Sequence, residues 1–368
     1  MARLLTLQAA RGVAANLVVI SHLSVLARKY AGSTLPDFAF YGIAGVDLFF
    51  VLSGFIMVAI AGRNIGAGRL LWRRAVRIYP TYWFVSLVVL AISWAAPALV
   101  NSSIQGPISI WRSFLLVPQE TLPLLAVGWT LIHEMYFYLA FALLLLLRIP
   151  VPTGLAMWAA LLVVGALFIP HDRLVSSPTL RVLMSPLTAE FMIGAVVGLL
   201  YCHKVVRGAR IAGAAGLAAL AGAICFAAPA LPLVASANFD AWRVILLGAP
   251  CALIIYWLAA AELQTSPRPW PILVRLGDWS YATYLVHVLV VAALARSIEM
   301  ILPDGVGAAA LLVALGLPAA NLAGAALFYG FERPVLSKLR TLGPPARGET
   351  APPSIFDDAE MKRRPDPS

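Results

Sequence analysis

AVGWTLIHEMYFYLAFALLLLL, residues 126–147, is the stretch from which the build of this chain is read. It carries one carboxylate, Glu134, and one imidazole, His133, and meets no Lys or Arg until Arg148 closes the run. The hydrocarbon core of a bilayer is about 30 Å thick, and a helix crosses it with roughly 20 mostly apolar residues. Residues 126–147 have that length and that composition. They are not the only stretch that does.

Carried outward, the same reading gives ten spans, at about 10–28, 43–61, 79–99, 126–147, 155–170, 182–202, 211–229, 243–261, 279–301 and 306–330. Hydrophobic residues make up 61% of the 368 and charged residues 12%, against roughly half and a quarter in soluble domains. A soluble chain of this length could not cover its surface with so few charges. The fold class is therefore all-α, a polytopic transmembrane bundle. Residues 1–340 form the membrane domain, and 341–368, rich in Pro, Asp, Glu, Arg and Lys, read as a disordered cytoplasmic tail.

The net charge of +10 is spread as short clusters between apolar runs, which is the pattern of membrane topology and not of a nucleic-acid partner. Ten spans leave both termini on one side. With that side inside, the inner segments hold nineteen Lys and Arg and the outer segments six, so both termini are expected in the cytoplasm. Val13 to Ala27 has the apolar run of a signal peptide, but it contains His22 and ends on Arg28-Lys29 without a convincing small-residue cleavage site, so it is kept as a helix. Cys202, Cys225 and Cys251 stand alone, and neither a disulfide framework nor a metal site is expected.

Ionisable groups within the bilayer are costly and mark function. Arg11 and His22 are eleven residues apart, three helical turns, so they share a face with about 16 Å between them along the axis. The spacing suits a ligand held at its charged end by Arg11 and reacting near His22. It suits equally an arginine at the headgroups and a histidine bonded to a neighbouring helix. Glu134 and Asp47 lie at a depth similar to His22, and a carboxylate beside an imidazole fixes its tautomer and stabilises its charged form. Ser53 and Gly54 read as small residues for close helix approach. Arg74 and Arg77, between spans two and three, share a helical face and suit a phosphate, although any cytoplasmic loop attracts arginines. Ser280, Tyr284 and His287 line one face of span nine, with His287 in its cytoplasmic half and out of reach of His22. Tyr281, Tyr284 and Trp129 are the candidate oxyanion donors. Glu190 lies near the middle of span six, and Glu332 closes span ten at the cytoplasmic surface.

Six segments, taken together, resemble the acyltransferase-3 family of bacterial integral-membrane acyltransferases, and most of all its exopolysaccharide-modifying members. They are LQAARGVAANLVVISHL (7–23), GVDLFFVLSGF (45–55), RRAVRIYPTYW (73–83), WTLIHEMYFY (129–138), LGDWSYATYLVH (276–287) and FERP (331–334), and they occur in the family's order. The resemblance implies ten spans in the bacterial inner membrane. It also implies an acyl-CoA donor, acetyl-CoA by default, bound from the cytoplasm, and transfer to a hydroxyl of a surface glycan or its lipid-linked precursor. Its R-x10-H element falls on Arg11 and His22, its RxxR element on Arg74 and Arg77, and its glutamate before an aromatic pair on Glu134. His133 departs from the small or polar residue usual before that glutamate. On this footing His22, Glu134 and Asp47 are the catalytic candidates, and Arg11, Arg74, Arg77, Tyr281, Tyr284 and His287 the donor-binding ones. Polysaccharide biosynthesis or export proteins are the possible partners. The residues alone leave two other classes open: a flippase using His22 and Glu134 as a proton relay, and a scaffold in an export complex.

Overall fold

A computed structural model describes residues 4–32, 41–61, 65–96, 108–227 and 239–342. The expected tail from 343 and part of the loop after residue 96 lie outside these. Every regular element among the described residues is helical: α1 Leu5–Tyr30, α2 Ala44–Ala61, α3 Ala67–Ala95, α4 Ile110–Leu115, α5 Gly128–Leu146, α6 Val151–Phe168, α7 His171–Ser176, α8 Pro178–Leu183, α9 Thr188–Cys202, α10 Ala209–Gly222, α11 Phe239–Arg243, α12 Ala249–Gln264, α13 Pro271–Glu299, α14 Val306–Leu327 and α15 Arg333–Thr341. Three single π-helical turns, Ala223–Ala227, Val244–Gly248 and Phe328–Glu332, extend or join these helices.

Nine helices among the described residues are long and apolar enough to cross a bilayer. They match nine of the ten expected spans. The remaining one, 211–229, corresponds to the shorter apolar helix Ala209–Cys225. The largest boundary difference is in α3, which starts at Ala67 and not near 79, so Arg74 and Arg77 belong to a continuous helix and not to a connecting loop. Pro80 lies inside it; lacking an N–H, a proline there removes one backbone bond and bends the axis. Outward faces carry bare apolar side chains, such as Phe168 at 77% exposure, as surfaces against lipid require. Trp94 and Trp270, both 76% exposed, stand at helix ends, where amphipathic indoles favour the membrane–water boundary.

Lipid tails give helices no hydrophobic reason to associate, so close contact depends on small residues and buried polar bonds. The pairing of α1 with α13 uses both. The two helices run parallel: Gln8 donates to Asp278 at 2.8 Å near one end, and His22 meets His287 further along. Beside the first of those contacts a Cβ on Gly12 would lie 2.8 Å from the backbone nitrogen of Gly277, and a Cβ on Gly277 would strike the carbonyl of Gln8. Only glycine allows this approach. Across the bundle, Gly54 of α2 and Gly194 of α9 each face the other helix's backbone in the same way. Phe191 stacks on Phe50 at 4.5 Å and on Phe137 at 4.4 Å, tying α9 to α2 and α5.

Candidate active site

A cleft of about 770 Å³, its open mouth included, lies between α1, α2, α3, α5 and α13. Its polar lining is ordered. Arg11, Arg74 and Arg77 gather on the wall formed by α1 and α3, Ser53, Glu134 and Tyr138 come from α2 and α5, and Thr130 and Tyr284 contribute further polar groups. Phe49, Phe50, Leu131 and Ile78 supply the apolar surface between them. Three guanidiniums outnumber the two carboxylates beside them, Glu134 in the lining and Glu332 behind Arg77, and this positive excess suits an anionic ligand.

Each cation is held differently. Arg77 forms an ion pair with Glu332, which is fully buried, and its guanidinium lies 5.1 Å over the ring of Tyr281. Arg74 lies 5.4 Å over the ring of Tyr138, and its buried Nε has no hydrogen-bond partner among the described residues. Such an aromatic face attracts a cation but satisfies none of its N–H groups. Glu134 accepts from the hydroxyl of Ser53 at 2.7 Å and from that of Tyr138. Ser53, read from sequence as a packing residue, therefore also serves the carboxylate.

Tyr281 donates to the carbonyl of Ile78 at 2.7 Å. Tyr284 lies 3.0 Å from the carbonyl of Val127 and 2.7 Å from the hydroxyl of Thr130. Both phenols are thus engaged in fastening α13 to its neighbours. Trp129 packs under Arg243 at 5.9 Å. The hydroxyls of Tyr281 and Tyr284 are therefore already engaged, and Trp129 is not among the residues that line the cleft.

Beyond Tyr284, whose ring is 5.9 Å from that of His287, lies the histidine pair. His287 Nε2 is 3.4 Å from His22 Nδ1, with ring centroids 4.9 Å apart and the rings edge to face. This corrects the expectation that His287 lies too shallow to meet His22. That depth was counted from a span starting at 279, whereas α13 starts at Pro271. Measured from the true helix ends, His22 and His287 lie at about 26 and 24 Å along two parallel axes. Their contact follows from that match.

The carboxylates read as partners of His22 are placed elsewhere. Asp47 is fully buried in an ion pair with Arg243, whose Nε donates to Oδ1 at 2.8 Å and to Oδ2 at 3.1 Å, while Nη2 donates to Oδ2 at 3.0 Å. Glu134 is committed to Ser53 and Tyr138. Among the described residues the hydrogen-bond partners of His22 are the carbonyl of Val18, at 3.0 Å, and His287. The sequence reading missed the Arg243–Asp47 pair and placed Glu332 at the surface. The one available signal for Glu332 was its position within FERP.

Glu190 is fully buried on α9 beside Gly248. His133, the residue that departs from the family pattern, packs against Phe50 and Trp129 with its Nδ1 buried and without a hydrogen-bond partner among the described residues. Among the described residues Cys202, Cys225 and Cys251 form no disulfide. No group of three or more metal-ligating side chains is present among the described residues.

The fold and the cleft together describe a multi-pass membrane protein with an arginine-rich cleft and, beyond it, a pair of imidazoles inside the helix bundle. Sequence comparison gives this class its chemistry. The acyltransferase domain model of the acyltransferase-3 family matches residues 4–329. The exopolysaccharide production protein ExoZ of Rhizobium meliloti (strain 1021) is 30% identical over 310 residues, covering 81% of this chain and 91% of that protein. Acyltransferase MdmB of Streptomyces mycarofaciens is 29% identical over 323 residues, covering 78% of this chain and 79% of its own. No solved structure matches. The chain belongs to the acyltransferase-3 family and is a membrane acyltransferase.

Proposed function

We propose that the chain moves an acyl group, acetyl in the simplest case, from acyl-CoA to a hydroxyl of an exopolysaccharide or its lipid-linked precursor. The reaction takes place in the inner membrane of a bacterial cell, with both termini of the protein in the cytoplasm. The observation that carries the donor assignment is the guanidinium of Arg74: it lines the cleft and its buried Nε has no hydrogen-bond partner among the described residues. Phosphates of CoA would supply acceptors to it and to its neighbours Arg11 and Arg77. The apolar stretch past Phe49 and Ile78 suits an uncharged pantetheine arm. The name of the Rhizobium relative, an exopolysaccharide production protein, supports the glycan acceptor.

In this reading His22 takes the proton of the acceptor hydroxyl as its oxygen bonds to the thioester carbonyl carbon. Collapse breaks the C–S bond, and His22 returns the proton to the departing thiolate, leaving an ester and free CoA. A route through an acyl-imidazole uses the same ring, acylated first and relieved by the acceptor. Glu134, held by Ser53 and Tyr138, faces the cleft and balances the arginine wall near the donor.

Purified protein in lipid, supplied with radiolabelled acetyl-CoA and the producing cell's glycan fraction, should label the glycan, and His22→Ala should abolish that labelling. Wild-type transfer by His22→Ala would remove His22 from the chemistry. Unchanged glycan acetylation, by mass spectrometry of cells with and without the gene, would overturn the acceptor.

A further inference from the structure

His287 is fully buried, and its Nδ1 lies 2.8 Å from the carbonyl of Tyr284 and 3.2 Å from that of Thr283. A carbonyl oxygen only accepts, so Nδ1 of His287 carries the ring proton. The Nδ1 of His22 lies 3.0 Å from the carbonyl of Val18, and it carries a proton for the same reason. That leaves His287 Nε2 with a lone pair 3.4 Å from the Nδ1–H of His22. A doubly protonated His287 would set two N–H groups against each other, so the neutral form fits the contact.

The consequence reaches the other side of the His22 ring. With Nδ1–H shared between the Val18 carbonyl and His287, the lone pair of His22 is confined to Nε2. Among the described residues nothing bonds Nε2, and the side chain stays partly exposed. Resting on the reading that His22 is the base or the acyl carrier, we propose that His287 is the positioning residue that sets its tautomer and ring orientation. It does so as a neutral acceptor, the task that a carboxylate performs in hydrolase triads. When His22 gains a proton at Nε2, its Nδ1–H becomes a stronger donor, and the bond to His287 Nε2 tightens without any further proton moving. The motif LGDWSYATYLVH then has its role divided along one helix: Tyr281 and Tyr284 fasten α13, and His287 orients the reacting ring.

Two substitutions of similar bulk separate orientation from packing. His287→Leu fills the site without an acceptor, whereas His287→Gln brings an amide oxygen toward the place of Nε2. A positioned general base contributes roughly 10²- to 10⁴-fold; loss of its orientation should lower kcat of His287→Leu by roughly tenfold to a hundredfold. The donor KM should hold steady, and His287→Gln should recover most of the loss. A kcat for His287→Leu within twofold of wild type would overturn the assignment while His22→Ala remains inactive. So would equal losses in Leu and Gln that follow a shared drop in thermal stability. Wild-type transfer by His22→Ala would instead overturn the reading beneath it, and the two failures are thereby distinguished.

Discussion

Asp47 shares the depth of His22 in the sequence, yet it is bonded to Arg243, and removing either partner should destabilise the protein without touching the chemistry. The two side chains are 0% and 2% exposed and share three hydrogen bonds of 2.8–3.1 Å. Breaking a buried pair by deleting one member strands the other charge, at a cost of about 3–5 kcal/mol. Deleting both members for apolar side chains of similar volume is often neutral or stabilising. Asp47→Leu and Arg243→Met alone should therefore each cost about 3–5 kcal/mol, a large share of the roughly 5–15 kcal/mol that a folded domain has. The double variant should recover nearly all of it, so the pair should show strong coupling in a double-mutant cycle. Fluorescence-detected size exclusion after stepped heating in detergent reads the stability, and acyl transfer on the surviving folded fraction reads the chemistry. Single variants as stable as wild type would refute the structural account. A double variant that folds normally but transfers nothing would return Asp47 to the catalytic group.

Arg74→Ala should raise the donor KM at least tenfold with little change in melting temperature, because its buried Nε has no hydrogen-bond partner among the described residues whose loss could unfold the helix; an unchanged KM in a donor titration counts against phosphate binding. Gly277→Leu drives a side chain into the Gln8 carbonyl and should abolish the monodisperse folded peak, whereas Gly307→Leu, with nothing within 4 Å of the added Cβ, should elute as wild type. Tyr284→Phe removes a hydroxyl already engaged by Val127 and Thr130 and should cost about 1 kcal/mol of stability, with kcat changed less than about tenfold. A fall of 10²–10³, the usual cost of a lost oxyanion donor, would show that this hydroxyl swings to the reacting carbonyl.

The spans were legible because lipid enforces a composition that no soluble helix needs, and Arg11, His22, Arg74 and Arg77 were legible because helical spacing places them on faces without tertiary information. The His22–His287 contact was not, although both residues were singled out. A charge ordinarily signals the end of a span, so Arg275 and Asp278 moved the expected start of span nine to 279. In the folded chain Pro271 opens α13, and Asp278 is satisfied by the amide of Gln8 on α1. A carboxylate paired inside the bundle does not mark the membrane surface, and nothing in the local sequence announces the partner, 270 residues away.

The two buried ion pairs escaped notice for a related reason, and the cause lies in helix geometry. Glu332 ends the π-helical turn Phe328–Glu332, and Arg243 immediately precedes the turn Val244–Gly248. Such a turn inserts one extra residue, which rotates everything beyond it by about 100° relative to a regular helix. A period of 3.6 carried through either site would aim the charge at the wrong neighbour. Each turn joins two helical pieces at the residue where a charge must face inward: Glu332 toward Arg77 at the cleft, and Arg243 toward Asp47 at α2. Helical irregularity and buried charge coincide at both places. A regular helix could supply the apolar surface on either side, but it would not keep both that surface and the ion pair in register. The irregular turn allows one span to serve lipid along its length and the arginine wall at its end.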